Sequence, residues 1–213
     1  DSPILTNSQF KKFKSVFSKK IKIIDCTFEL SSSLKERIEN IRQECEVAVR
    51  EGSSALILSD KKISETRASI PSILMVGAVH SHLVKMGLRG YWSINVEGSD
   101  VLDTHTFAVL IGVGATTINP YLALDSIFQR YEKKLFGKAD FESCTLKFKK
   151  SIDSGLLKIM SKMGISVISS YRGGCNFEAV GLSRAIVADY FPGMVSRISG
   201  IGISGIETKI KEL

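Results

Sequence analysis

The sequence predicts an α/β fold, a partial or degenerate (β/α) TIM-barrel-like domain with mostly parallel strands. Short β-branched or continuously apolar runs alternate along the chain with amphipathic stretches of helical length. This alternation is typical of parallel strands that are joined by crossover helices. The strand-like runs are few for 213 residues, and a complete eight-stranded barrel typically takes about 250 residues. We therefore expect an incomplete barrel or an open sheet.

The first part of the chain predicts a strand, a helix and a second strand. Residues 20–25 form a short β-branched run, which is typical of a strand. Ser33 followed three residues later by Glu36 gives the signal of a capping box, and apolar residues then recur at helical spacing as far as Gly52. Residues 55–59 (ALILS) form a nearly continuous apolar run, as expected for a strand that is buried on both faces.

Farther along, helical spacing and turn residues set the remaining elements. Strands are expected at 91–96 and 165–168, and a Gly-rich tail at 199–206 leads into a short charged helix. Helices are expected at 71–87, 103–110, 120–136, 141–163 and 177–190, the last interrupted at Gly181. No repeat or low-complexity linker divides the sequence, so we expect residues 1–213 to form a single domain.

The composition is that of a globular protein, with 44% apolar and 24% charged residues. No apolar run approaches the roughly 20 residues that span a bilayer, so no membrane association is expected. The chain begins without an initiator methionine or a signal peptide, which indicates a piece of a longer protein. The cysteines lack the spacing of a zinc site or an iron–sulfur cluster, and we expect buried free thiols and a cytoplasmic location. They are Cys26, Cys45, Cys144 and Cys175.

The net charge of +7, with a pI near 9.2, permits binding to nucleic acid. The lysines fall mainly at 11–22 and 147–150, without the interleaved aromatic or glycine residues of an RNA-binding sheet and without helix-turn-helix spacing. We interpret these lysines as a solvated face and predict no nucleic-acid partner. A basic nucleic-acid-binding module remains the least favoured alternative.

Patterns that suggest chemistry have simpler explanations. Gly112 and Gly114 resemble the start of a dinucleotide-binding loop, but Thr117 stands where its third glycine would be, so a helix end is expected here. His80 and His82 lie two residues apart on a predicted helix and point to different faces, which prevents them from sharing one metal ion. No GxSxG motif occurs. The sequence predicts no catalytic residue and no metal site.

One segment combines an apolar helix, a glycine and a polar turn. Arg172 and the backbone N–H groups of this turn are groups that can hold a phosphate. The alternative is a structural turn in which the arginine caps carbonyl groups or pairs with a neighbouring domain. The residues of the turn are Tyr171, Arg172, Gly173 and Gly174. The candidates for interdomain contact are Ser161, Lys162, Met163, Gly164, Ser166, Tyr171 and Arg172.

The same segment carries a resemblance to a known family. Residues 155–166 (GLLKIMSKMGIS), 170–173 (SYRG) and 177–182 (FEAVGL) resemble the end of the central domain of glutamate synthase large subunits. Residues 70–74 (IPSIL) and 119–123 (NPYLA) are similar to earlier blocks of that domain, in the same order. The resemblance covers essentially the whole chain and identifies it as the later part of a central domain.

The resemblance implies a non-catalytic element that connects a glutaminase domain to an FMN domain, where 2-oxoglutarate and channelled ammonia give glutamate. FMN and the iron–sulfur cluster belong to other domains, so no cofactor is expected in this chain. The implied parent is an oxidoreductase of ammonia assimilation that takes electrons from NAD(P)H or ferredoxin, and the residue usage suggests a bacterial source.

The implied partners are the glutaminase and FMN domains of the same enzyme. An isolated fragment is expected to expose apolar surface that those domains cover, and to self-associate through it. A stand-alone flavin- or phosphate-binding barrel enzyme is the alternative.

Overall fold

Helices and strands alternate through most of the chain. The computed structural model describes residues 2–88, 90 and 92–212, apart from the side chain of Lys19. Its elements, in chain order, are α1 (Asn7–Val16), β1 (Ile21–Asp25), β2 (Thr27–Glu29), α2 (Leu34–Arg50), β3 (Ala55–Ser59), β4 (Arg67–Ser69), α3 (Ser72–Lys85), β5 (Ser93–Glu97), α4 (Thr104–Gly112), β6 (Thr117–Asn119), α5 (Tyr121–Glu132), α6 (Phe141–Lys162), α7 (Ile168–Tyr171), β7 (Glu178–Leu182), α8 (Arg184–Tyr190), β8 (Val195–Ile201) and α9 (Ile203–Lys211).

The central sheet has four parallel strands in the order β1-β3-β5-β6. Strands that follow one another through a crossover helix are neighbours in the sheet, which is the strand order of a (β/α) barrel. Among the described residues the sheet remains open and does not close into a barrel. The predicted partial barrel with mostly parallel strands is confirmed.

The N-terminal segment covers the outer edge of β6. Ile4 forms a parallel bridge with Ile118. The Leu5 amide donates to the Ile118 carbonyl, and the Ile118 amide donates to the Pro3 carbonyl, each at 2.9 Å. The edge of β6 is thereby paired by backbone that precedes the first helix, which protects it from pairing with another chain.

The apolar core lies between the central sheet and the helices packed on it. Strand β3 is buried along its whole length, as predicted from its continuous apolar run. Helix α2 buries one stripe, Leu34, Ile38, Ile41, Cys45 and Ala48. The predicted N-cap is also present, because the Ser33 hydroxyl accepts a hydrogen bond from the Glu36 amide at 3.3 Å.

The predicted strand at 165–168 is wrong. The Ile165 amide donates to the Met160 carbonyl and the Gly164 amide to the Ser161 carbonyl, while Gly164 has φ 68°. This is a Schellman motif, which uses the amide that a strand would need. The chain then makes the single helical turn α7 at Ile168–Tyr171.

The predicted helix at 177–190 is correct only in its second half. Its first half is strand β7, which pairs in parallel with β8 in a separate two-stranded sheet. A Cβ on Gly200 would lie 2.0 Å from the Gly181 carbonyl oxygen, so the close approach of these two strands requires glycine. Of the expected Gly-rich tail at 199–206, residues 199–201 belong to β8, and residues 203–206 already belong to the charged helix α9.

Several elements were not predicted. Helix α1 begins with a complete capping box between Thr6 and Gln9, within a segment that was interpreted only as basic surface. Strands β2 and β4 form a short antiparallel pair, and β6 occupies three residues after Gly114. The predicted strand at 91–96 corresponds to β5, but Tyr91 lies outside the described residues.

Candidate functional site

Polar residues gather where the four central strands end. Asp25 ends β1, Asp60 follows β3, Glu97 ends β5 and Asn119 ends β6. The carboxyl ends of parallel strands meet at one edge of the sheet, and enzymes with (β/α) barrels place their active sites at this edge. A catalytic site of a barrel enzyme would therefore lie at this edge.

Glu97 is buried, at 3% exposure, and is held by the protein's own groups. Lys14 of α1 donates to its Oε1 at 2.8 Å, the Ser59 hydroxyl donates to its Oε2 at 2.6 Å, and the Lys61 ammonium lies 3.3 Å from Oε1. Burial alone raises the pKa of this carboxyl group. The hydrogen bonds from Lys14 and Ser59 and the charges of the two lysines lower the pKa by more than burial raises it, so the pKa of Glu97 lies below its ordinary value. Glu97 is thus an ionised, paired group.

The neighbouring polar groups at this edge also bond within the chain. Asp60 accepts hydrogen bonds through Oδ2 from the Ser69 hydroxyl and from the Ser99 amide and hydroxyl. Asn119 donates through Nδ2 to the Leu5 carbonyl and to the Asn7 side chain, each at 3.0 Å. The carboxyl edge is therefore filled by side chains that connect α1, the N-terminal segment and the strands.

Asp25 closes the β1 end of the same edge. It accepts hydrogen bonds from the Thr27 amide and hydroxyl, and it pairs with Arg67 at 3.2 Å and Lys62 at 3.5 Å. Partial burial by itself raises the pKa of Asp25. The hydrogen bonds from Thr27 and the charges of Arg67 and Lys62 lower the pKa by more than burial raises it, so the net shift is downward. These contacts fasten the β2–β4 pair to the end of β1.

The predicted phosphate turn uses its own N–H groups internally. The amides of Arg172, Gly173 and Gly174 donate to the carbonyls of Ile168, Gly112 and Tyr171 at 3.2, 2.8 and 3.3 Å. The Arg172 Nε donates to the Ala115 carbonyl at 3.0 Å. These three amides are therefore hydrogen-bonded within the chain, and the Arg172 side chain caps a carbonyl group.

The candidates for interdomain contact differ in exposure. Tyr171 is buried at 2% and makes an edge-on ring contact with Phe177, so it supports the turn from inside. Arg172 is partly buried, and among the described residues its guanidinium makes one hydrogen bond, to Ala115. The others lie on the surface at the end of α6: Ser161, Lys162, Met163, Gly164 and Ser166.

The histidines and cysteines form no metal centre in the described part of the chain. His82 lies 2.8 Å from Glu46, across the surface of α2 and α3. Cys26, Cys45 and Cys144 are buried free thiols, as predicted, but Cys175 is exposed, so the prediction fails for that residue. Cys175 has φ 51° and borders a cavity of about 230 Å³ between the turn and Phe191. No sequence signal indicated this position.

The comparison with protein families gives one match. The family model described as the glutamate synthase central domain covers residues 1–183.

Among the described residues, none of the helices has both the length and the apolar character needed to cross a membrane.

Curated relatives are glutamate synthases. The chain is 53% identical over 215 residues to the glutamate synthase (NADPH) large chain of Azospirillum brasilense, which covers 100% of this chain and 14% of the relative. It is 41% identical over 207 residues to the Bacillus subtilis large chain, covering 96% of this chain and 13% of the relative. The spinach chloroplastic ferredoxin-dependent glutamate synthase is 39% identical, with coverages of 94% and 13%. The chain therefore spans about one seventh of the length of these relatives.

Solved structures with a similar fold include flavocytochrome b2 variants. One, with benzoylformate, has a TM-score of 0.53 and 12% identity over 92% of this chain and 47% of that chain. Another, with sulfite bound, has a TM-score of 0.51 and 12% identity over 80% of this chain and 53% of that chain. At this identity the similarity shows a TIM-barrel-like fold and nothing about ligands.

Proposed function

Because this chain belongs to the glutamate synthase central domain family, we propose that it is a non-catalytic connector within a glutamate synthase large chain. In that role residues 1–213 form one domain between a glutaminase domain and an FMN domain. Glutamine hydrolysis, transfer of ammonia and reductive formation of glutamate take place in the parent enzyme. FMN and the iron–sulfur cluster are held by its other domains.

The observation that carries this proposal is that polar groups at the carboxyl edge of the sheet are already paired with one another. Lys14, Ser59 and Lys61 hold the buried Glu97, so the position that serves as the active site in (β/α) barrels is occupied by structural ion pairs. The turn at 171–174 uses its amides internally. The geometry therefore supports a barrel-related scaffold and gives no support to a stand-alone flavin enzyme.

The surface at the end of α6 is the proposed contact with a neighbouring domain. It consists of the exposed residues of 161–166 together with Arg172, whose guanidinium retains donors beyond its bond to Ala115. Arginine presents five N–H donors in a rigid fork, which suits binding to a carboxylate on another domain.

The buried free thiols further suggest that the enzyme works in a reducing compartment, the cytoplasm.

The test is Arg172→Ala in the full-length large chain, with Arg130→Ala on exposed α5 as the matched control. The measured quantity is the number of glutamate molecules formed from 2-oxoglutarate for each glutamine hydrolysed. We expect this ratio to fall in Arg172→Ala and to stay at the wild-type value in Arg130→Ala. An unchanged ratio for Arg172→Ala would remove Arg172 from the proposed contact.

A further inference from the structure

Strands β7 and β8 form a parallel pair with one open face. In register, Val180 lies beside Ile198 and Leu182 beside Ile201. Val180 is 64% exposed, Ile198 61%, Ile201 48% and Val195 47%. We call Val180, Val195, Ile198 and Ile201 the open face.

On the opposite face, strand β7 is covered by the rest of the chain. Ala179 points the other way, as alternate strand residues do, and is 6% exposed. Helix α8 packs there and contributes Ile186, Val187 and Tyr190 to the core. The two strands and α8 thus form a small β-α-β unit, in which β7 is buried at Ala179 and β8 is mostly exposed.

An open face of this kind is unusual for parallel strands. Parallel sheets occur almost only where both faces are covered, and an isolated two-stranded pair is marginally stable in water. In the described part of the chain, β7 and β8 pair only with each other, which leaves the outer backbone edge of each strand unpaired. Exposed apolar side chains and free backbone edges both indicate a missing neighbour.

We infer that the open face is a docking surface for the part of a glutamate synthase large chain that lies outside residues 1–213, an inference that rests on the proposed function. The match to the family model includes β7 and stops at residue 183, before β8. The Azospirillum brasilense relative aligns with the whole of this chain and is about seven times longer, since the match covers 14% of it. A longer large chain of this kind has ample sequence outside residues 1–213 to cover the open face.

The chemistry of the occupant follows from the face. Four aliphatic side chains call for an apolar surface, and the free strand edges can accept a backbone strand. At the rim, Arg197 and Glu178 already pair at 3.3 Å, so the occupant needs no charge there. A second copy of this chain fits less well, because it would bring a net charge of +7 against the same charge.

Thiol accessibility in the full-length large chain tests this inference. Ile198→Cys places a thiol on the open face, and Val47→Cys places one on the exposed side of α2, where Val47 is 53% exposed. Both variants are made in a Cys175→Ser background. The rate of alkylation by N-ethylmaleimide is measured at each site by peptide mass spectrometry, relative to the rate in denaturant.

We expect Ile198→Cys to react at least about tenfold more slowly than Val47→Cys, independent of protein concentration, because the face is covered within one chain. Equal rates would overturn the inference. A slow rate that recovers on dilution would also overturn it, in favour of a second copy. Neither result would decide the connector role, which the Arg172→Ala activity ratio tests separately.

Discussion

Lys14 on α1 donates a 2.8 Å hydrogen bond to Glu97 at the end of β5, where Glu97 is only 3% exposed. The pair lies at the carboxyl edge of the parallel sheet, and it fastens the first helix across the ends of the strands. A buried carboxylate is costly unless it is paired and hydrogen-bonded, and here Ser59 and Lys61 complete the set. At the edge that (β/α) barrel enzymes use for chemistry, these contacts stabilise the fold.

Replacing Glu97 by glutamine should therefore destabilise the protein. We expect Glu97→Gln to lower the free energy of unfolding by about 2–4 kcal/mol at pH 7, since it leaves Lys14 and Lys61 facing a neutral group. Urea unfolding measures the loss. Glu65→Gln, which changes an exposed carboxylate, is the control and should remain within about 0.5 kcal/mol of wild type.

The cost of Glu97→Gln should depend on pH. Because the pKa of Glu97 is lower in the folded state than its ordinary value of 4.5, its contribution to stability is present above that value and is lost as pH falls through the folded pKa. The difference between wild type and variant should thus shrink below about pH 4.5. A difference that stays constant from pH 7 to pH 3 would contradict the assignment of an ionised Glu97.

Gly77 in the middle of α3 allows α8 to pack closely. A Cβ at this position would lie 2.3 Å from Cε1 of Phe191 and 2.9 Å from the Tyr190 carbonyl oxygen. Helix propensity alone would make Gly77→Ala stabilising by about 1 kcal/mol. We expect destabilisation by about 1–3 kcal/mol instead, from overpacking, as measured by thermal unfolding. Ser161→Ala, at an exposed position near the end of α6, is the control. A stabilised Gly77→Ala would contradict the close contact of Gly77 with Phe191.

Glu207 on α9 caps the first turn of α2. Its Oε2 accepts a hydrogen bond from the Leu34 amide at 3.0 Å, and Lys211 holds its Oε1. We expect Glu207→Ala to cost about 1 kcal/mol, the typical value of an N-terminal cap, and to accelerate hydrogen exchange at the Leu34 amide. Glu212→Ala, five residues farther along at the C-cap of α9, should leave that amide unchanged. Unaltered exchange in Glu207→Ala would show that the cap does not form.

The cysteines should differ sharply in reactivity. Burial raises the pKa of the thiols of Cys26 and Cys45, which lowers the fraction of reactive thiolate, whereas Cys175 is exposed. In the native chain of 213 residues we expect iodoacetamide to modify Cys175 first and to spare the other three until the protein unfolds. Mass spectrometry of the alkylated peptides measures this, and early labelling of Cys26 would contradict the buried position.

Local signals predicted the elements whose environment is set by nearby sequence. The continuous apolar run of β3 and the Ser33 cap of α2 both need only neighbouring residues to be recognised. The run at 165–168 is strongly β-branched, yet Gly164 at φ 68° closes a Schellman motif and diverts it into a turn. Such a short, mainly β-branched run does not reveal whether its backbone amides already donate hydrogen bonds to the preceding helix.

The site depended on contacts between distant residues, and sequence patterns do not report these. Glu97 and Lys14 are 83 positions apart, so the sequence around one of them does not indicate that it contacts the other. Arg172 was singled out from its turn, but its carbonyl partner, Ala115, lies 57 residues earlier. Cys175 was grouped with the buried thiols because composition gives one expectation for all cysteines, whereas its turn places it at the surface.

The central claim, a barrel-related scaffold without a cofactor site of its own, is tested most directly by titrating the purified chain with FMN while following flavin fluorescence. The internal use of the 172–174 amides and the filled carboxyl edge predict no saturable quenching at tens of micromolar. Saturable one-to-one quenching that Arg172→Ala abolishes would contradict the account, and it would make the turn a working phosphate site.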